Sequence, residues 1–177
     1  MTRLNWGCGG HGEPGWINSD MKDGPGIDIT VDIRDGLPLE DASLDCVVSI
    51  HALQMIAYPN VVQVLGELRR VLRPGGVLRL GLPDFDKAID AYRRGDRGYF
   101  VVPDSDESTL SGKAIVQLLW YGWSTLLCTS EFVLDLLVRA GFSEVRACDF
   151  RQSASDLPGI TDLDNRPDES FFVEAVR

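Results

Sequence analysis

Apolar residues recur along the chain in short runs separated by turn-forming residues: Arg3 to Trp6, Trp16 to Asp20, Ile27 to Ile33, Leu44 to Ile50 and Val77 to Leu82. Runs of this length bounded by Gly, Pro, Asn and Asp read as strands, and five of them before residue 85 predict a parallel sheet. Between the fourth and fifth the period changes. Val61, Val64, Leu65, Leu68, Val71 and Leu72 fall at helical spacing across Asn60 to Leu72, with Pro74, Gly75 and Gly76 as the stop. A second helix is predicted from Asp84 to Arg94. A third runs from Ser130 to Ala140, where Phe132, Val133, Leu136, Leu137 and Ala140 share a face and Gly141 follows as a cap. Strands Glu144 to Phe150 and Ser170 to Val176 close the chain. The polar stretch between them, Arg151 to Glu169, is too short for a crossover with a substantial helix, which predicts an antiparallel closing pair joined by a long loop. Residues Gly95 to Thr129 join a polar stretch to an aromatic one and read as a lid-like insertion above the sheet, at about 95–129. Its Trp120, Tyr121 and Trp123 are expected to pack it onto the sheet rather than to line a pocket.

Composition narrows this picture. A chain of 177 residues, 44% of them hydrophobic, is read as a single domain over 1–177 with one core. It has no apolar run near the ~20 residues that span a bilayer and no secretory leader pattern, so a cytoplasmic protein without a membrane partner is expected. Seventeen basic against 27 acidic residues give a net charge of −10, which opposes phosphate backbones and argues against a nucleic-acid partner. Cys8, Cys46, Cys128 and Cys148 form no C-x-x-C pair, and His11 and His51 sit in no metal-binding spacing. Free thiols and no bound metal are the expectation.

The segment Gly7, Cys8, Gly9, Gly10, His11, Gly12 satisfies G-x-G-x-x-G, the dinucleotide fingerprint, and raises a nucleotide-dependent oxidoreductase as one reading. That fingerprint needs a helix to begin at the loop and meet the pyrophosphate, yet Glu13, Pro14 and Gly15 lead directly into the next strand. A ligand that carries adenosine without pyrophosphate fits the loop better, because glycines let backbone approach a ligand closely. Asp20 closes the second predicted strand and Asp32 lies near the end of the third. Carboxylates there can accept ribose hydroxyls and an adenine amine, or can be ordinary turn aspartates.

The run Leu4, Asn5, Trp6, Gly7, Cys8, Gly9, with Pro14 to Asp20, resembles the opening of a compact bacterial branch of the Class I S-adenosylmethionine-dependent methyltransferases. Val31 to Pro38 with Ser43, Leu44 and Asp45, Ser49 to Leu53, and Leu68 to Gly76 agree with it, as do Ala140, Gly141 and Phe142 ahead of the closing strand pair. The resemblance implies an α/β, Rossmann-like fold: a mostly parallel seven-stranded sheet in the order 3-2-1-4-5-7-6, its last strand antiparallel, here with shortened N-terminal crossovers. It implies S-adenosylmethionine as cofactor and S-adenosylhomocysteine as its product. Gly7 and Gly9 would meet the methionine part, Asp20 the ribose, and Asp32 with Ile33 the adenine. Asn5, Cys8 and His51 complete the expected donor-binding set. Two departures stand out: Asn5 replaces the acidic residue usual before the loop, and Gln54 and Met55 replace a common Glu and His.

Methyl transfer from a sulfonium needs alignment and, for a hydroxyl acceptor, removal of a proton. His51, after the fourth strand, is the candidate general base, with a pocket wall as the plainer role. Asp84, after the fifth, is a second catalytic candidate that an N-cap role would equally explain. The activity implied is methyl transfer to a small or medium-sized organic acceptor, at oxygen or nitrogen rather than carbon. A catalytically silent donor-binding partner subunit is the alternative. Short links between the first three strands leave no room for covering helices, so that half of the sheet is expected to expose apolar surface; the insertion Gly95 to Thr129 and the loop Arg151 to Glu169 are the long segments free to fold over the site, and a second copy of the chain, a homodimer, is the favoured cover for the bare face.

Overall fold

The computed structural model describes residues 1–10 and 12–177. Strands β1 (Arg3–Trp6), β2 (Ile17–Asp20), β3 (Ile29–Thr30), β4 (Leu44–Ile50), β5 (Leu72–Pro83), β6 (Ser143–Cys148) and β7 (Ser170–Val176) form one sheet. Its order is β3-β2-β1-β4-β5-β7-β6, with β7 antiparallel to both of its neighbours and the other pairs parallel. The predicted topology is therefore the observed one. Among the described residues no helix lies between β1 and β2 or between β2 and β3.

Helices α1 (Tyr58–Val71) and α4 (Ser130–Arg139) present apolar stripes to one face of the sheet. Val61, Val64, Leu65 and Leu68 of α1 and Val133, Leu136 and Leu137 of α4 are buried with Leu4, Val47, Leu78, Leu80 and Val173. Side chains alternate along a strand, so Cys46 and Val48 beside Val47 must face the other way. They do, and that face is not bare. Trp16, Cys46, Val48 and Val77 are buried under Ile160, with Leu157 and Leu163 packed alongside, all three supplied by the 149–169 loop. Of the covers expected for the face without helices, the loop is the one that packs on it here, so that face is not bare.

One buried ionic cluster hangs the loop on the sheet. Arg79 of β5 and Glu174 of β7 are cross-strand partners on the loop-covered face. Arg79 Nε and Nη2 donate to the two oxygens of Asp164, at 2.8 and 2.5 Å, and Nη1 donates to Glu174 at 2.7 Å. The carbonyls of Gln152 and Asp149 accept the remaining Arg79 protons at 3.0 and 3.2 Å. All five guanidinium donors are thus satisfied with no water needed, the condition under which a charge can be buried.

Several element boundaries differ from expectation. The helix ends at Val71, ahead of Pro74, but the next strand begins at Leu72 rather than at Val77 and runs through Pro74 to Gly76. β3 shrinks to two residues because Asp28 turns back to accept the Asn18 N–H at 2.8 Å and Asp32 caps the 3-10 turn Ile33–Asp35. Within the insertion a helix, α3 (Leu110–Leu119), packs on α2 (Phe85–Arg94), where Ala88, Ala91, Phe100 and Ala114 form a small separate core. Trp120, Tyr121 and Trp123 are not core: they are 38, 53 and 53% exposed. No helix is long and apolar enough to cross a membrane among the described residues.

Candidate functional site

A cleft of about 1110 Å³ opens at the carboxyl edge of the sheet, where open α/β folds place their ligands. This is at the upper end of the ~300–1,000 Å³ common for small-molecule sites, room for two ligands side by side. Asn5, Gly7, Cys8, Gly9, Asp20, Asp32, Ile33, His51 and Asp84, the whole candidate set, line it. His11 lies outside the described residues.

The glycine loop is shaped by two different constraints. Gly7 has φ +67, and a Cβ there would stand 2.3 Å from the Ala52 Cβ, so the fold itself requires the glycine. Gly9 has φ +72 but a Cβ on it would meet nothing within 4 Å. Its N–H donates to Asp20 Oδ2 at 2.8 Å, while Lys22 N–H donates to Asp20 Oδ1 at 3.0 Å. A carboxylate offers about four acceptor positions, so Asp20 keeps capacity for hydroxyls in the cleft. Asn5 is buried and donates to Asn18 Oδ1 at 3.1 Å, a bond within the sheet. Burial and the neighbouring Asp20 push the Cys8 thiol pKa up, which suits a small neutral wall residue. Asp32 accepts from Arg34 on both oxygens, and that hydrogen bonding holds its carboxyl below the usual range.

The other half of the cleft was largely invisible in the sequence. His51 has φ +58, and its ring nitrogens are both engaged: Nδ1 lies 2.8 Å from Arg166 Nη1 and Nε2 lies 2.7 Å from Ser170 Oγ. Arginine has no acceptor, so Nδ1 accepts, and Nε2 carries the proton toward Ser170. Burial, with the Arg166 charge second, pushes the His51 pKa down to about 3, so the ring is neutral at ordinary pH. In this arrangement its one lone pair is occupied by Arg166. Asp84 Oδ1 caps α2 through the N–H groups of Asp86 and Lys87, the plainer of its two expected roles. Gln54 is 4% exposed; its Nε2 donates to the His51 carbonyl at 2.7 Å, and its own carbonyl accepts from Thr125 and Leu126. That bond moors the insertion to the cleft. Trp123 reaches across to Lys22, whose ammonium sits 4.3 Å from the indole centre. Tyr99, pushed up to about 12 by burial and then by Asp84, Glu169 and Asp168, marks this half as acidic. Its distances could not be read from sequence: Arg166 and Ser170 stand 115 and 119 residues from His51.

A family model described as a methyltransferase domain matches residues 15–80, a span that includes Asp20, Asp32, Ile33 and His51. The whole chain superposes on a SAM dependent methyltransferase from Archaeoglobus fulgidus with a TM-score of 0.64 at 12% identity, covering 99% of this chain and 86% of that one. The chain has the fold of the Class I methyltransferases, and residues 15–80 are similar to their domain. Two curated proteins are similar to parts of the chain. An uncharacterized 37.1 kDa protein in transposon TN4556 of Streptomyces fradiae is 47% identical over 68 residues, 38% of this chain. Phthiotriol/phenolphthiotriol dimycocerosates methyltransferase 1 of Mycobacterium ulcerans is 43% identical over 54 residues, 30% of this chain. Each match spans 19% of the relative's own length.

Proposed function

We propose that the chain is an S-adenosylmethionine-dependent methyltransferase acting on a small or medium-sized organic acceptor, at oxygen or nitrogen. The observation that carries this reading is the convergence of Gly9, Asp20, Asp32 and Ile33 with His51 and Asp84 in one cleft. The open space over Gly9 and the spare acceptor positions of Asp20 fit a nucleoside, and the helix a pyrophosphate would need is missing between β1 and β2 among the described residues. The donor supplies a methyl group on a positively charged sulfur. The chain's residues do the rest: the Gly7–Gly9 backbone lets the ligand lie close, Asp20 accepts from ribose hydroxyls, and Asp32 with Ile33 borders the adenine. The insertion and the 149–169 loop act as the walls that exclude water.

Isothermal titration with S-adenosylhomocysteine tests this. Loss of a charged hydrogen-bond acceptor costs ~1.5–3 kcal/mol, roughly ten- to hundredfold in affinity, so Asp20→Ala is expected to bind that much more weakly. Equal affinity in wild type and variant would remove the assignment.

A further inference from the structure

Two non-glycine residues in the left-handed region face each other in the acceptor half of the cleft, His51 at φ +58 and Arg166 at φ +54. Such conformations persist where the surroundings over-determine them, and they gather at functional sites. Both residues are held from several sides. The His51 N–H donates to the Gly81 carbonyl at 2.8 Å and its carbonyl accepts from Gln54. Arg166 sits two residues beyond Asp164, which Arg79 grips, and Lys87 Nζ donates to the carbonyls of Pro167 and Ser170 at 3.1 and 2.7 Å. The ring is oriented by Ser170, so its one lone pair, on Nδ1, is the only position from which it can take a proton. Arg166 Nη1 stands 2.8 Å from that lone pair. A hydrogen-bond donor is therefore already where an acceptor's O–H or N–H must be. The guanidinium is half exposed, and a second partner waits beside it, Glu169, whose Oε1 lies 3.7 Å from Arg166 Nε.

We propose that Arg166 gates His51: its guanidinium holds the Nδ1 lone pair until the acceptor's O–H or N–H displaces it, and it then moves onto Glu169. The inference rests on the methyl-transfer reading. In the open state the acceptor's proton passes to His51 Nδ1, the acceptor's freed electron pair forms the bond to the methyl carbon, and the carbon–sulfur bond breaks with its electrons left on sulfur as a neutral thioether. Arg166 acts through His51 and is a positioning residue. It also raises the base strength on leaving, because a neighbouring cation disfavours the imidazolium. The charged and titratable groups in this part of the cleft are Arg166, Asp168 and Glu169 from the loop and Asp84, Lys87 and Tyr99 from the elements facing it; of these only Arg166 shifts the His51 titration.

The chain has two histidines, so a His11→Ala background leaves one imidazole to follow by nitrogen-15 NMR and by reaction with diethyl pyrocarbonate at pH 7. With Arg166 present, reaction should be slow and the ring should stay neutral to below pH 5. Arg166→Ala is expected to speed modification by about tenfold or more and to raise the midpoint of His51 titration by about one pH unit. Arg166→Lys, which still offers a donor, should restore much of the protection. A loosened loop alone would also raise the titration midpoint, because burial is the larger cause of its depression, but without lysine rescue, so equal effects of Arg166→Ala and Arg166→Lys would overturn the gate. Unchanged modification and titration in Arg166→Ala would overturn the gate. Neither readout needs the methyl donor, so S-adenosylhomocysteine failing to bind would sink the methyl-transfer reading and leave the Arg166–His51 result standing by itself.

Discussion

Gly7 and Gly9 are two residues apart, share a backbone conformation and have different reasons to be glycine. Gly7→Ala meets the Ala52 Cβ at 2.3 Å and has nowhere to go. Its cost combines ~1–2 kcal/mol for the left-handed backbone with ~1–3 kcal/mol for the clash. Gly9→Ala bears only the first. Urea denaturation should show the larger loss for Gly7→Ala, while titration with S-adenosylhomocysteine should show a loss of about tenfold, ~1.4 kcal/mol, for Gly9→Ala. The reverse ranking in denaturation would contradict this assignment of roles. His51 carries a pH signature of its own. Its folded pKa of about 3 lies below its ordinary 6.5, so between those values the unfolded chain binds a proton that the folded protein does not. Stability must fall as pH drops through that window and be unaffected by this group above it. The decline from pH 6.5 toward 3 should be shallower in His51→Gln than in wild type; superimposable curves would show that His51 is not buried neutral. The sequence made Gly7, Asp20 and His51 visible because turn chemistry and strand ends are local signals. It could not show that His51 spends both nitrogens, because Arg166 and Ser170 arrive from the far end of the chain.

At the level of elements, β4 and β7 were readable to the residue, since each is a dense run with polar or turn residues at both ends. α1 begins earlier than its apolar spacing shows, at Tyr58 with Pro59 in the first turn, where a proline is pre-organised for helix. α3 went unread. Its Thr109 cap, bonded to Gly112 N–H at 3.0 Å, was a usable signal, but Gly112 in the first turn blurred the pattern. The 149–169 loop is the element whose role depends most on one side chain. Removing the Arg79 charge leaves Asp164 and Glu174 buried without their partner, a loss of ~3–5 kcal/mol for such clusters. Arg79→Met should show it as a lower urea midpoint together with new proteolytic cuts at 151–163. Replacing Asp164 and Glu174 by apolar residues as well should recover much of the loss, because the cost lies in the stranded charges.

Across the whole molecule, a three-layer arrangement emerges from a chain with too few helices for one: α1 and α4 cover one face, and a loop without helix or strand covers the other. That loop also carries Arg166 and Glu169 to the cleft, so anything that lifts it disturbs the surroundings of His51. Cys46 lies beneath it, fully buried, its thiol pushed up by burial to about 11. A thiol in that position is a clock for the loop. Alkylation of Cys46 can proceed only in the fraction of time the cover is off, so its rate, followed by peptide mass spectrometry, counts openings too rare to be seen as a second population. A ligand that binds only the closed form lowers that fraction by the factor 1 + [L]/Kd. S-adenosylhomocysteine at a hundred times its Kd should therefore slow the clock by about a hundredfold if loop and cleft open as one unit, and Arg79→Met should make it run fast. An unchanged rate with ligand bound would mean that the cover moves independently of the site it borders.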